Sequence, residues 1–168
     1  MSTRMIFLLS FLVICGVLGT SIYLQYFDGF MPCPLCTLQR LSFGAIGVML
    51  LLGALFYRRR FITIPASLFT MVFSVSGFVF AARQTWLQHF PTAHSSECGV
   101  SLQYMVNALP WHEVIGKIFA GNAECTQRSW ELLTLSMPEW SVILFAAFFC
   151  VGGVTLIRES KRKIGRYR

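Results

Sequence analysis

Two cysteines stand three positions apart just before a long stretch without charged residues. They are Cys33 and Cys36, in the segment FMPCPLCTLQR that ends at Arg40. A Cys-x-x-Cys pair can supply two ligands to a metal ion, form a structural disulfide or work as a redox pair. Which of these chemistries applies depends on the surroundings of the pair.

The short spacing of Cys33 and Cys36 argues against a structural disulfide. So short a loop loses little chain entropy when it closes, and the bond would therefore contribute little to stability. A bond that stabilises little is better suited to being made and broken. A zinc site needs four ligands, and the sequence has no second close cysteine pair, so His89 and His94 would have to complete it. We therefore favour a redox pair over a zinc site.

The residues around Cys36 predict the start of a helix. Pro34 suits the first turn of a helix, and Cys36 would lie in that turn, where the helix dipole favours a thiolate. Arg40 follows Cys36 by four residues, so the two side chains lie on one face of the helix. The guanidinium of Arg40 can stabilise a thiolate or bind a ligand oxygen. The alternative is an arginine that only extends to the membrane surface.

Four apolar stretches without a charged residue predict transmembrane helices. They cover residues 5–27, 41–57, 61–82 and 141–157, and each is close to the roughly 17–25 residues that span a bilayer as a helix. Their continuous apolar character argues against a barrel. Only 12% of all residues are charged, against about a quarter in a soluble domain. The first stretch could instead be a signal peptide, but it is longer than the usual apolar core of about 7–15 residues.

The basic residues predict the orientation of these helices. In a chain with four spans, ten of the fourteen lysines and arginines fall on one side: Arg4, the three arginines from 58 to 60 and the six basic residues after Ile157. We therefore predict that both termini are cytoplasmic. This topology and contact with anionic lipid explain the net charge of +7 without nucleic acid. We expect a lipid bilayer as a partner and no nucleic acid.

The same topology leaves two loops on the non-cytoplasmic side, residues 28–40 and 83–140, in one integral membrane domain that covers residues 1–168. A short amphipathic helix is predicted within the second loop, in the segment PWHEVIGKIFAG. Its apolar residues recur at the spacing of one helical face, Pro110 suits the first turn and Gly121 suits the end. Such a helix can lie on the bilayer surface or pack against the rest of the loop, and the sequence favours neither alternative.

The second loop also holds two cysteines, Cys98 and Cys125. Four cysteines on one side allow three pairings, and closeness in sequence favours Cys33–Cys36 and Cys98–Cys125. A bond between Cys98 and Cys125 would close a long loop, as a structural disulfide does. It would also offer a soluble dithiol protein an entrance for electrons, which the pair at the membrane edge could pass to a lipid-soluble quinone. The residues therefore predict a relay with two disulfides, and a scaffold in which both bonds are structural is the alternative.

With these features the sequence resembles the DsbB family of disulfide bond formation proteins. The resemblance rests on Cys33-Pro-Leu-Cys36 followed by Gln39 and Arg40, and on the stretch RQTWLQ at residues 83–88. The two cysteines of the second loop and the stretch LTLSMPEW at residues 133–140 add to it. It covers nearly the whole chain.

The resemblance implies an all-α membrane protein, built as a four-helix transmembrane bundle with two periplasmic loops and a short interfacial helix. It implies a location in the bacterial inner membrane. The implied activity is that of a quinone-dependent protein-disulfide oxidoreductase, which reoxidises a periplasmic DsbA-like thiol oxidase with a thioredoxin fold. Electrons then pass to the membrane quinone pool, as ubiquinone or, when oxygen is scarce, as menaquinone. A specialised member that serves one dedicated partner is a further alternative.

The resemblance also implies roles for individual residues. Cys98 would form the mixed disulfide with the partner, and Cys125 would pass the oxidation state on through a bond with Cys33. Cys36 would face the quinone as a thiolate, beside Arg40 as the arginine of the quinone site. Some members carry a histidine after the third span that is linked to this site. Gln88 is the candidate for that place here, with His89 next to it.

Overall fold

The structure, a computed structural model, describes residues 3–27, 33–90, 102–121, 123–126, 131–132 and 134–164. In chain order the elements are α1 (Thr3–Phe27), α2 (Pro34–Leu55), α3 (Arg60–His89), α4 (Leu102–Ala108), α5 (Trp111–Ala120), α6 (Ala123–Thr126), β1 (Glu131–Leu132), β2 (Leu135–Ser136) and α7 (Met137–Ile164). Four of the helices, α1, α2, α3 and α7, are long and apolar enough to cross a membrane. The predicted all-α membrane bundle is thereby confirmed.

The long helices continue past the ends of the apolar stretches. α2 begins at Pro34 instead of residue 41, and α3 ends at His89 instead of residue 82. The thickness of the bilayer sets the length of the apolar segment, but the helix itself can continue into polar sequence beyond the bilayer. The helix start that the residues around Cys36 predicted is thereby confirmed at Pro34, and Cys36 and Arg40, which the charge pattern alone had left in the loop of residues 28–40, lie on the first turns of α2.

The helices pack in the order α1, α2, α3, α7, with α3 in contact with both α2 and α7 along the bundle. Aromatic rings fill the core, and the rings of Phe43 and Phe145 stack with their centroids 4.1 Å apart. Glycines allow the close approach, as is usual between membrane helices. A Cβ atom on Gly77 would lie 2.3 Å from the ring of Phe145, and one on Gly53 would lie 3.0 Å from the ring of Phe7.

Polar side chains join α3 to α7 near the first turns of α3. The hydroxyl groups of Ser67 and Thr155 lie 2.9 Å apart, and both residues are fully buried. One turn further along α7, the buried carboxylate of Glu159 lies 3.8 Å from Nε of Arg60. Hydrogen bonds and ion pairs of this kind help to hold membrane helices together, because within lipid there is no hydrophobic driving force between apolar helices.

A second apolar cluster, here called the loop cluster, joins the short elements to the bundle. Its buried members are Cys33, Leu35, Leu87, Met105, Val114, Ile118 and Cys125. The predicted short helix is present as α5, which contributes Val114 and Ile118 to this cluster. Trp111 and Ile115 are 70% and 56% exposed, so half of the apolar face packs against the protein and half stays available to a bilayer surface.

A small antiparallel hairpin leads into α7 and was not predicted. Glu131 pairs with Ser136, and Leu132 pairs with Leu135. Strands of two residues are too short to show the alternation by which a strand is recognised in sequence.

Candidate functional site

Cys33 and Cys36 lie together at the N-terminal end of α2, with their sulfur atoms 3.0 Å apart. Cys33 is the N-cap residue, with extended backbone angles, and its sulfur accepts a hydrogen bond from the backbone N–H of Cys36 at 3.3 Å. Pro34 occupies the first position of the helix, where its missing N–H costs nothing. Local helix geometry alone therefore brings the two sulfur atoms together. Both residues are thiols in this structure.

Cys125, which belongs to the second loop, lies next to Cys33. Cys33 and Cys125 are each 1% exposed and share the loop cluster. A side-chain hydrogen bond between them raises the pKa of the Cys33 thiol, and the hydrogen bond with Cys36 and burial raise it further. Cys33 therefore stands between the other two cysteines. Cys98, the fourth predicted redox residue, lies outside the described residues.

Gln84 of α3 contacts the sulfur of Cys36. Its amide Nε2 donates a hydrogen bond to Cys36 Sγ at 3.0 Å, and its Oε1 accepts a hydrogen bond of 2.7 Å from Nε2 of Gln39 on α2. Gln84 and Gln39 are 3% and 5% exposed. The same Oε1 of Gln84 also accepts a longer hydrogen bond of 3.4 Å from the thiol of Cys36, so the shorter contact at this sulfur is the one with the amide nitrogen of Gln84. Gln84 was not among the predicted site residues, although it lies within the stretch RQTWLQ and shares a helix face with Gln88.

Arg40 is tied to α1. Its Nη1 donates a hydrogen bond to Oε1 of Gln25, and its Nη2 donates to the backbone oxygen of Ser21 at 3.1 Å. These contacts fix the guanidinium on the same side of α2 as Cys36, as the spacing of four residues predicted.

A cavity of about 410 Å³ lies among α1, α2, α3 and the start of α7. Its walls are mainly apolar, with Val13 and Val17 of α1 on one side and Trp140 and Leu144 of α7 on another. The long polar side chains of the lining come from the helix ends described above, Gln39, Arg40 and Gln84 beside Cys36, and the hydroxyl groups of Thr20, Ser21 and Ser141 add to them. A mainly apolar pocket of roughly 300–1,000 Å³ with a few convergent polar groups is typical of a small-molecule site.

Gln88, the predicted cofactor-site residue, is not among the residues that line this cavity. Its Oε1 accepts a hydrogen bond of 2.8 Å from the hydroxyl of Ser136, the residue before α7. The backbone N–H of Ser136 in turn donates to the Glu139 carboxylate at 2.6 Å, and His89 Nε2 lies 3.6 Å from the same carboxylate. Gln88 and His89 thus connect the end of α3 to the start of α7.

The site contains no evident metal centre within the part of the chain that the structure describes. There, no group of three or more histidine, cysteine, aspartate or glutamate side chains is placed to hold a metal ion.

Comparison with known proteins gives a consistent picture. The family model described as "Disulfide bond formation protein DsbB" matches residues 3–155. The chain is 40% identical over 162 residues to disulfide bond formation protein B 1 of Pseudomonas aeruginosa PAO1. The aligned region covers 95% of this chain and 98% of that protein. The chain is 40% identical over 159 residues to disulfide bond formation protein B of Nitrosomonas eutropha, covering 90% and 93%. The corresponding protein of Hahella chejuensis is 35% identical over 161 residues, covering 96% and 98%.

Proposed function

Because this chain belongs to the DsbB family of disulfide bond formation proteins, we propose that Cys98, Cys125, Cys33 and Cys36 carry electrons, in that order, from a soluble dithiol to the cavity. Members of the family reoxidise DsbA with quinone, and the chain is accordingly a quinone-dependent thiol–disulfide oxidoreductase of the membrane. The observation that carries the residue assignment is the contact of Cys33 with Cys125 on one side and Cys36 on the other.

We place the protein in the bacterial inner membrane with both termini in the cytoplasm. Arg58 and Arg59 follow the C-terminal end of α2, whereas Cys33 lies at its N-terminal end. Positive residues favour the cytoplasmic side, so the cysteines would face the periplasm, where disulfides persist. The partner would then be a periplasmic DsbA-like protein with a thioredoxin fold.

Electrons enter by thiol–disulfide exchange. A thiolate of the partner attacks Cys98, a mixed disulfide forms, and Cys125 leaves as a thiolate. Cys125 then attacks Cys33 of the Cys33–Cys36 disulfide, and Cys36 leaves as a thiolate. The contact between the buried side chains of Cys33 and Cys125 supports this step, because the attacking and attacked sulfur atoms are already neighbours.

The starting state returns by two further exchanges. The second thiolate of the partner attacks the mixed disulfide, which releases oxidised partner and the Cys98 thiolate. Cys98 attacks Cys125 in the Cys33–Cys125 bond, so the Cys98–Cys125 bond forms again and Cys33 leaves. The dithiol of Cys33 and Cys36 then loses two electrons and two protons as its own disulfide re-forms.

The cavity beside Cys36 fits a quinone. Its apolar walls suit a ring with a hydrocarbon tail, and Arg40 and Gln84 bring hydrogen-bond donors to the end where Cys36 lies. A bound quinone supplies the two-electron acceptor, and we propose ubiquinone, with menaquinone as the substitute. Gln84 stabilises the Cys36 thiolate by a hydrogen bond to a charged sulfur, and Arg40 adds a fixed positive charge. We propose Gln84 rather than Gln88 as the glutamine of this site.

The test is the absorbance of ubiquinone after mixing with purified protein that has been reduced by a small dithiol. We expect rapid reduction by the wild type and none by Cys36→Ala. Cys98→Ala should still reduce quinone with the small dithiol but should no longer oxidise the partner. Normal oxidation of the partner by Cys98→Ala would show that the order of cysteines is wrong. A parallel series with a menaquinone analogue identifies the preferred quinone.

A further inference from the structure

α5 ends at its C-cap residue Gly121, which forms a junction with α3. This residue has φ 80° and ψ 169°, a backbone conformation that is essentially restricted to glycine. A Cβ atom here would lie 2.5 Å from Cδ1 of Leu87 on α3. Glycine is therefore required twice, for its backbone angles and for the close approach to Leu87.

Arg83, one turn before Leu87 on α3, contacts the same junction. Nε of Arg83 donates a hydrogen bond of 2.8 Å to the backbone oxygen of Phe119, which belongs to the last turn of α5, where carbonyl groups lack partners within the helix. Arg83 precedes Leu87 by four residues, so both side chains lie on one face of α3. The ring of Phe119 also lies near that of Phe80, with centroids 6.2 Å apart.

The junction leads directly to a redox cysteine. Gly121 precedes Cys125 by four residues, and α6, which carries Cys125, contacts α3 and α2. Cys33 is fixed independently at the start of α2. The distance between the two sulfur atoms therefore depends on the contacts of α6 and on where the end of α5, four residues before Cys125, is attached to α3.

We propose that Arg83, Leu87 and Gly121 are positioning residues that hold Cys125 against Cys33. The inference rests on the proposed function, because it concerns the step in which Cys125 attacks Cys33. In that step the Cys33–Cys125 bond forms, the Cys33–Cys36 bond breaks and Cys36 keeps the electron pair, so no outside oxidant is needed. Small displacements of a nucleophile can slow such a step by about a hundredfold.

The step can be isolated in the full-length protein with Cys98→Ser, which prevents the Cys98–Cys125 disulfide. After equilibration with a mixture of oxidised and reduced glutathione, without quinone, the Cys33–Cys125 and Cys33–Cys36 bonds compete, and oxidised glutathione takes up the two electrons. Alkylation of the remaining thiols, followed by digestion and mass spectrometry, gives their ratio. This ratio measures the effective concentration of Cys125 at Cys33 and does not depend on quinone reduction.

We expect Gly121→Ala to lower the ratio by about tenfold or more. Gly116→Ala is the matched control, because Gly116 lies in α5 with open space around it, and its ratio should equal that of the starting protein. Since Gly121→Ala could also disturb folding, Arg83→Met provides a second test, with an expected decrease of about fivefold from the loss of one hydrogen bond. Arg83→Gln should restore the ratio, because its amide nitrogen stands where Nε of arginine stood.

The possible failures are distinguishable. If Gly121→Ala and Arg83→Met both keep the ratio of the starting protein, the positioning role is overturned while the relay stands. If the starting protein forms no Cys33–Cys125 bond at all, the proposed order of cysteines fails, and the positioning role falls with it.

Discussion

The side chain of Gln84 donates a hydrogen bond to the sulfur of Cys36 from a helix 48 residues further along the chain. The donor is a neutral amide, which does not ionise near neutral pH. Its proposed contribution is therefore to stabilise a charged sulfur, and on this proposal the protons released during oxidation come from the thiols themselves.

Replacing Gln84 by methionine removes this donor and keeps a side chain of similar length. We expect quinone reduction by the dithiol-reduced protein to slow by about tenfold or more, since a hydrogen bond to a charged group contributes about 1.5–3 kcal/mol. Stopped-flow absorbance of the quinone measures the rate. Gln88→Met provides the comparison, because Gln88 lies one turn away and bonds Ser136 instead. A larger effect of Gln88→Met would favour the residue predicted from sequence.

Arg40 is expected to act mainly on quinone affinity. Arg40→Gln should raise the KM for quinone by about tenfold, because it removes a preorganised positive charge at the polar end of the cavity. Gln25→Leu should raise it less, since Arg40 would keep its charge and its bond to the backbone oxygen of Ser21. Steady-state rates at varied quinone concentration separate KM from kcat. An unchanged KM in Arg40→Gln would place the arginine outside the quinone site.

Gly77 tests the packing of α3 on α7. Gly77→Ala introduces a Cβ atom only 2.3 Å from the ring of Phe145, and overpacking of this kind costs about 1–3 kcal/mol. We expect a lower thermal unfolding midpoint in detergent. Gly153→Ala on α7 is the matched control, because a Cβ atom there meets nothing within 4 Å. Equal midpoints for the two variants would contradict the close approach.

The raised pKa of Cys33 predicts slow alkylation of the reduced protein at neutral pH. Thiolates react with iodoacetamide and thiols do not, so a raised pKa keeps Cys33 protonated and its rate should still be rising above about pH 8.5, the usual thiol pKa. Cys125→Ala removes the main cause of the shift and should move the pH midpoint downward. Identical pH profiles, measured by mass spectrometry of the Cys33 peptide, would exclude the hydrogen bond as the cause.

The sequence was sufficient to predict the four helices because a bilayer demands long stretches without charge. Cys33, Cys36 and Arg40 could be placed together because they are close in sequence, and helix geometry fixes their relation. Gln84 could not be identified in the same way. Which turn of α3 reaches the level of Cys36 depends on how far α3 is shifted along α2, and helices that are apolar all round carry no pattern that reports this shift.

The sequence also could not predict which residues of the second loop contact the bundle. Gly121 was interpreted as the end of a helix, which it is, but its contact with Leu87 depends on the packing of α5 against α3. The amphipathic pattern of α5 gave its helical character correctly. It could not show that Val114 and Ile118 would be buried while Trp111 and Ile115 remain exposed.

The position of the cavity has a consequence for how its ligand arrives. α1 packs chiefly against α2 and has few contacts with α7, and Val13, which lines the cavity, is 48% exposed on the apolar surface of the bundle. Because α1 is long and apolar enough to cross a membrane, we expect the side of the cavity that Val13 lines to face the acyl chains rather than water. A ligand can enter sideways while its hydrocarbon tail stays dissolved in the lipid. The rate of the enzyme should then follow the mole fraction of quinone in the bilayer, and it should depend little on the length of the isoprenoid tail.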